Sequence, residues 1–260
     1  MKILNFSYTS LTNISFIHLI LFGHSIFNPQ FEHSMLEYKF ILSGFREEYK
    51  IDAKGVLPTG SLAQGGVTGM WGAGPYNYRG VDLDSFPFDP KELDLSHREV
   101  AKRIGINGVN DDDLSELLGK DLPLQQPMSL HKNAQIILDK YTNKYSDSDS
   151  NDVLIGRARN AVLSTAKDGR EACTEDAMCF WGCDKQAIYS AGQELQLLMK
   201  FENFNYLDKS FVEKIEKFEG DYKVYCRDVD GIKDSAFFSC GRILLAAGTI
   251  GSTILAMRLL

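Results

Sequence analysis

The densest chemistry in this chain is three cysteines within eleven residues: Cys173, Cys179 and Cys183. Their spacing is Cys-x5-Cys-x3-Cys, and Asp176 makes it Cys-x2-Asp-x2-Cys-x3-Cys. Thiolates and a carboxylate at two- and three-residue spacing can converge on one metal centre. The run approximates those that hold iron–sulfur clusters, with Asp176 at the second thiolate and Asp184 at the usual proline. Such a run lends its fourth cysteine to a partner cluster, and no second run exists here. Cys226 and Cys240 are far away, in strand-like contexts. A buried thiol cluster is the competing reading. The odd total of five cysteines speaks against a secreted disulfide framework.

The second chemical stretch is residues 61–75, where six of fifteen residues are glycine or proline and Trp71 sits among them. Glycines at this density let the backbone approach another surface, because no Cβ stands in the way. An aromatic anchor in such a loop suits a flat ligand touched by backbone N–H groups. A tight pair of turns between two strands is the plainer reading. Arg157 and Arg159 share one side of a strand read over residues 152–164. Facing inward they would meet an anion; facing outward they would be solvated.

Other elements must position these groups. Asp89 and Pro90 form a helix start, with the helix over residues 93–106 stopped near Gly105 or Gly108. Asp111, Asp112 and Asp113 lack the alternation and glycine hinge of a calcium loop and read as a helix N-terminus. A helix follows over residues 133–145, and Ser190 opens another. Residues 36–45 read as a strand closed by Gly44. Residues 211–218, 221–227 and 237–241 read as three short strands. The apolar run 241–247 predicts a buried parallel strand feeding a helix at Gly248, whose dipole favours a phosphate.

Composition bounds the class. With 260 residues, 44% hydrophobic and 24% charged, the chain can build a real core. A net charge of −7 argues against a nucleic-acid or anionic-membrane surface. Residues 14–27 are mostly apolar but contain His18, Gly23, His24 and Ser25, too short and polar to span a bilayer. Lys2 ahead of them gives a faint signal-peptide pattern without a small-residue cleavage site. The expectation is a cytoplasmic protein with no membrane span.

The stretch Ser61-Leu62-Ala63-Gln64-Gly65-Gly66-Val67-Thr68-Gly69-Met70-Trp71-Gly72-Ala73 resembles the flavin-facing loop of the glucose–methanol–choline (GMC) FAD oxidoreductases. It is most similar to the bacterial subgroup found with surface-polysaccharide genes. Residues 76–87 resemble the arm after that loop. The cysteine segment is similar to one in the same subgroup, departing from it at Asp176 and Asp184. Residues 211–241 resemble the small antiparallel crossover of FAD-binding domains. Leu245-Ala246-Ala247-Gly248-Thr249-Ile250-Gly251-Ser252 is similar to the family's Leu-Ala-Ala-Gly-x-x-Gly-Ser/Thr signature.

The resemblance spans residues 57–260. It implies an α/β (α+β) fold: a partial FAD-binding, Rossmann-like domain with inserted substrate or cap segments. The division it implies is a poorly defined segment at 1–50 and the flavin-facing loop and arm at 51–100. A helical, cysteine-containing cap follows at 101–200, and the chain returns to the FAD domain at 201–260. It implies FAD bound by Gly65, Gly66, Thr68, Trp71, Gly72, Ala73, Val212, Ala247, Gly248 and Thr249. It implies oxidation of a CH–OH group in a small-molecule alcohol or sugar. The family's opening Gly-x-Gly-x-x-Gly is absent, and none of the five histidines falls in its catalytic motif, so no catalytic residue is carried over. The expectation is a truncated member, inactive alone. The alternatives are an iron–sulfur electron-transfer protein using Cys173, Asp176, Cys179 and Cys183, and a non-catalytic remnant.

Overall fold

The computed structural model describes residues 42, 44–78, 80–145, 154–177, 179, 183–232 and 236–259. The apolar stretch at 14–27 and most of the expected strand at 36–45 lie outside them. In chain order the elements are α1 (Phe45–Glu48), α2 (Pro90–Ile104), α3 (Ser115–Leu118), α4 (Lys132–Tyr145), α5 (Ala191–Leu198), β1 (Ser210–Phe218), β2 (Asp221–Asp228), β3 (Ala236–Cys240) and α6 (Gly248–Leu259). Short 3-10 turns cover Gly66–Gly69 and Gly80–Leu83. The fold is α+β, with one three-stranded antiparallel sheet in the order β1-β2-β3. No helix among the described residues is long and apolar enough to cross a membrane.

The chain forms two compact units that alternate along the sequence. Among the described residues, the first takes those up to Trp71 and those from Ser190 onward. Its sheet begins with a hairpin in which Phe218 pairs with Asp221. The two turn residues, Glu219 and Gly220, both have positive φ, at 50° and 95°. That is the primed turn whose twist matches a β-hairpin. Along β2 and β3 apolar side chains alternate onto one face. There Val212, Ile215, Val224, Cys226 and Cys240 bury themselves with Leu255 of α6. Burial pushes the Cys226 thiol up to about 11, so it stays neutral in this core.

A second cluster closes the unit. Phe45, Tyr49, Leu62 and Phe211 are buried together, and Ile250 and Ile254 of α6 pack against them. Phe45 and Tyr49 lie four apart, on one side of a helical turn. The Tyr49 ring stands 5.0 Å from Phe45 and 5.0 Å edge-on from Phe211. Gly251 lets α6 approach: a Cβ there would lie 2.6 Å from the Tyr49 hydroxyl. Arg227 of β2 adds ion pairs to Glu213 at 3.0 Å and to Glu48 of α1.

The second unit holds Gly72–Cys179 and Cys183–Tyr189. Helix α2 starts where expected: the Asp89 side chain accepts from Lys91 N, and Pro90 is the first helical residue. Ahead of α3, whose N-cap Leu114 has no side-chain cap, Asp112 accepts from the Ser115 hydroxyl at 3.0 Å and from Arg157 N. The expected strand over 152–164 does not form as such. Residues 154–159 are irregular, and pairing is limited to bridges of Asn160 with Asn107 and Val162 with Ile188.

The run 241–247 also differs from expectation. It forms no strand, and Leu244 is 56% exposed. A parallel strand needs a neighbour to bond to, and no described strand pairs with it. The helix that should follow does form at Gly248.

Gly251→Ala is expected to lower the unfolding free energy by about 1–3 kcal/mol, because an added methyl has no room at Tyr49. In a Tyr49→Phe background part of that loss should disappear, since the nearest colliding atom is the hydroxyl. Urea denaturation of the four proteins checks this.

Candidate functional site

The glycine-rich loop is built onto the N-terminus of α5. Ser190 caps that helix through its hydroxyl, which accepts from Gly192 N, while the Gln193 side chain accepts from Ser190 N at 3.1 Å. Thr68 then joins loop to helix. Its hydroxyl donates to Gly65 O and accepts from Ala191 N, the latter at 3.0 Å. Gly65 has φ +83°, and a Cβ there would lie 2.6 Å from Gly192 N. Its glycine is therefore required by loop–helix packing inside the chain. The helix-start N–H groups of Ala191 and Gly192 are satisfied by protein oxygens.

Other expected cofactor residues fall into distinct surroundings. Leu62, at the base of the loop, belongs to the aromatic cluster with Phe211 and the first turns of α6. The loop base, the start of β1 and the segment after Gly248–Thr249 are thereby assembled by one core. Val212 is 2% exposed, so the residue as a whole is covered by the protein. Val212 and Ala247 both line an apolar groove of about 30 Å³, room for roughly two waters. Trp71 is half-buried. Gly72 and Ala73 belong to the second unit. Ala73 is buried at φ +53°, and its carbonyl accepts from Ala161 N at 2.8 Å.

Three glycines differ from Gly65. Around Gly66, Gly72 and Gly248 a Cβ would meet no described residue within 4 Å. Gly66 and Gly248 have positive φ, which explains glycine locally. Gly72 has neither a positive φ nor a close neighbour.

All five cysteines are free thiols; Cys179 is exposed, while Cys173 and Cys183 are half-buried. Cys173 Sγ accepts from Glu175 N at 3.4 Å, and Cys183 Sγ from Ala187 N at 3.2 Å. Although the residue as a whole is exposed, desolvation of its thiol pushes Cys179 up from the ordinary value. The Cys173 and Cys183 thiols and the Asp176 carboxylate push it the same way. Among the described residues no three His, Cys, Asp or Glu side chains are placed to hold a metal ion.

The arginines face main chain. Arg159 is 2% exposed and donates to the carbonyls of Val109 and Leu118 and to Asn110 Oδ1. Arg157 donates to Met128 O at 3.0 Å. Arg170, unremarked in the sequence, is equally structural: it donates to Ile104 O, Gln186 O and Ala187 O, with its guanidinium 5.5 Å from the Tyr189 ring centre. Its only sequence signal was a charge between turn residues. The Phe45/Tyr49 pair was likewise missed, though its four-residue spacing is a helical one.

Thr68→Val should uncap α5 and release the loop, costing about 1–2 kcal/mol. Thr68→Ser, which keeps the hydroxyl, should recover most of it. Thermal unfolding followed by circular dichroism measures both.

A scan of protein-family models finds no match to this sequence, and no curated protein matches it.

Proposed function

We propose that the chain is part of an FAD-dependent oxidoreductase of the GMC type, acting on a CH–OH group of an alcohol or sugar. The observation that carries this reading is the shared core of Leu62, Phe211, Ile250 and Ile254. Three segments that resemble flavin-contacting parts of that family meet on it, although they are about 150 and 40 residues apart in sequence. The three-stranded antiparallel sheet followed by a glycine-started helix has the order expected of the return to a Rossmann-like FAD domain.

The residues suit a flat, phosphorylated group in part. Gly66 in the first unit and Gly72 in the second each have backbone that no described side chain covers. Gly248 and Thr249 begin a twelve-residue helix, whose N-terminal N–H groups and dipole would hold phosphate or ribityl oxygens. Thr68 and Gly65 act behind them, fixing the loop on α5. Val212, buried, would support the surface by packing rather than by contact. A bound flavin would supply the acceptor for hydride leaving the alcohol carbon. The chain's part is binding and orientation; no proton-transfer residue is assigned to it.

Gly72 gives the sharpest test, because no described residue requires a glycine there. FAD titration of the purified protein, followed by flavin fluorescence, is expected to show saturable binding. Gly72→Ala should weaken it at least about tenfold with an unchanged unfolding midpoint. No binding by the unaltered protein would overturn the proposal and favour a remnant without cofactor; equal binding by Gly72→Ala would remove Gly72 from the site.

A further inference from the structure

Cys173, Cys179 and Cys183 all lie in the second unit, as free thiols. Backbone hydrogen bonds bring their segments together. Glu171 N donates to Lys185 O at 3.0 Å. Cys173 and Cys183 each stand two residues from that bond. Leu163 joins the same segments, its carbonyl accepting from Cys173 N at 2.8 Å and its N–H donating to Ala187 O at 3.0 Å.

From Cys173 the chain turns back on itself. Glu175 and Ala177 have positive φ, at 56° and 58°, a backbone state that non-glycine residues adopt at turns. Glu175 N donates to Cys173 Sγ, and the Thr174 hydroxyl donates to Asp176 Oδ2 at 3.1 Å. Ser129 N donates to Glu175 Oε1 at 3.1 Å and pins the turn from outside. Cys179 follows two residues after Ala177 and is exposed. The electrostatic push on its thiol comes more from Cys173 than from Cys183. Cys183 Sγ is held in a turn of its own, accepting from Ala187 N at 3.2 Å.

We propose that Cys173 and Cys179 are a modification site, joined in a reversible disulfide by exchange with a low-molecular-weight disulfide, RSSR. The exposed Cys179, as thiolate, attacks one sulfur of RSSR. The S–S bond breaks, Cys179 carries a mixed disulfide, and RS⁻ leaves. The Cys173 thiolate then attacks Cys179 Sγ and expels the second RS⁻. The protein thiols give up two electrons and two protons, and RSSR becomes two RSH. Cys226 and Cys240 take no part. They are buried at 4% and 9% exposure, and they face Ala236 and Tyr222 across the sheet rather than each other. The site is independent of any flavin.

Oxidised glutathione is the probe. The full chain is equilibrated in glutathione buffers of varied ratio, quenched with acid and mapped by mass spectrometry. The expected product is lighter by about 2 Da and carries a Cys173–Cys179 link. The folded chain should form it in a buffer at least about tenfold more reducing than the urea-unfolded chain requires, because the fold holds the two thiols together. Cys179→Ser should abolish the link and keep the fold, since that residue is exposed. Cys183→Ser should leave the link in place. A chain that keeps all its thiols, or a glutathione adduct that persists on Cys179, would overturn the proposal. So would a link made through Cys183, or a midpoint buffer that unfolding does not change.

Discussion

The contact on which the first unit depends is the Tyr49 ring, held between Phe45 and Phe211 with both centres 5.0 Å away. It ties a four-residue helix near residue 45 to a strand more than 160 positions later. An isolated helical turn of four residues is not stable in water. α1 persists because its two aromatic rings are buried, and buried aromatic pairs add about 0.5–1.5 kcal/mol beyond their area. The same cluster fixes Leu62 and so the entry of the glycine loop. Through Ile250 and Ile254 it also fixes α6. Loop, sheet and terminal helix keep their places because one apolar cluster touches all three.

The second unit is held differently. Much of it is irregular backbone, whose buried carbonyls lack the partners that helices and sheets supply. Arg159 and Arg170 supply them from side chains, each guanidinium donating to three protein oxygens. Hydrogen bonds from a charged donor are worth about 1.5–3 kcal/mol each, and a carbonyl stranded without one is costly. These bonds help to accommodate two cations at 2% and 8% exposure.

What was legible in the sequence was local. Asp89 with Pro90, and Ser190 with Gln193, announce helix starts because a cap needs only residues within one turn. The β1–β2 hairpin was legible from alternation, and Gly220 supplies its turn. What failed depended on distant partners. Residues 241–247 have a strand's composition, but a strand exists only beside another strand. Arg157 and Arg159 were read as lying on one strand face, yet the irregular backbone lets each turn to different carbonyls. The glycine loop was open to two readings, a ligand-facing loop and a tight pair of turns. Gly65 packs against Gly192, and only the surroundings of each glycine separate it from Gly72.

The central claim is that the aromatic core of the first unit assembles a flavin-binding surface. Its most direct test is the visible absorption of the purified protein after incubation with FAD and desalting, with the denatured supernatant measured beside it. The account predicts a yellow protein that releases flavin on denaturation. A colourless protein, still folded by circular dichroism, would contradict it. A broad brown band lost on acidification would contradict it too, and would move the chemistry to Cys173, Cys179 and Cys183.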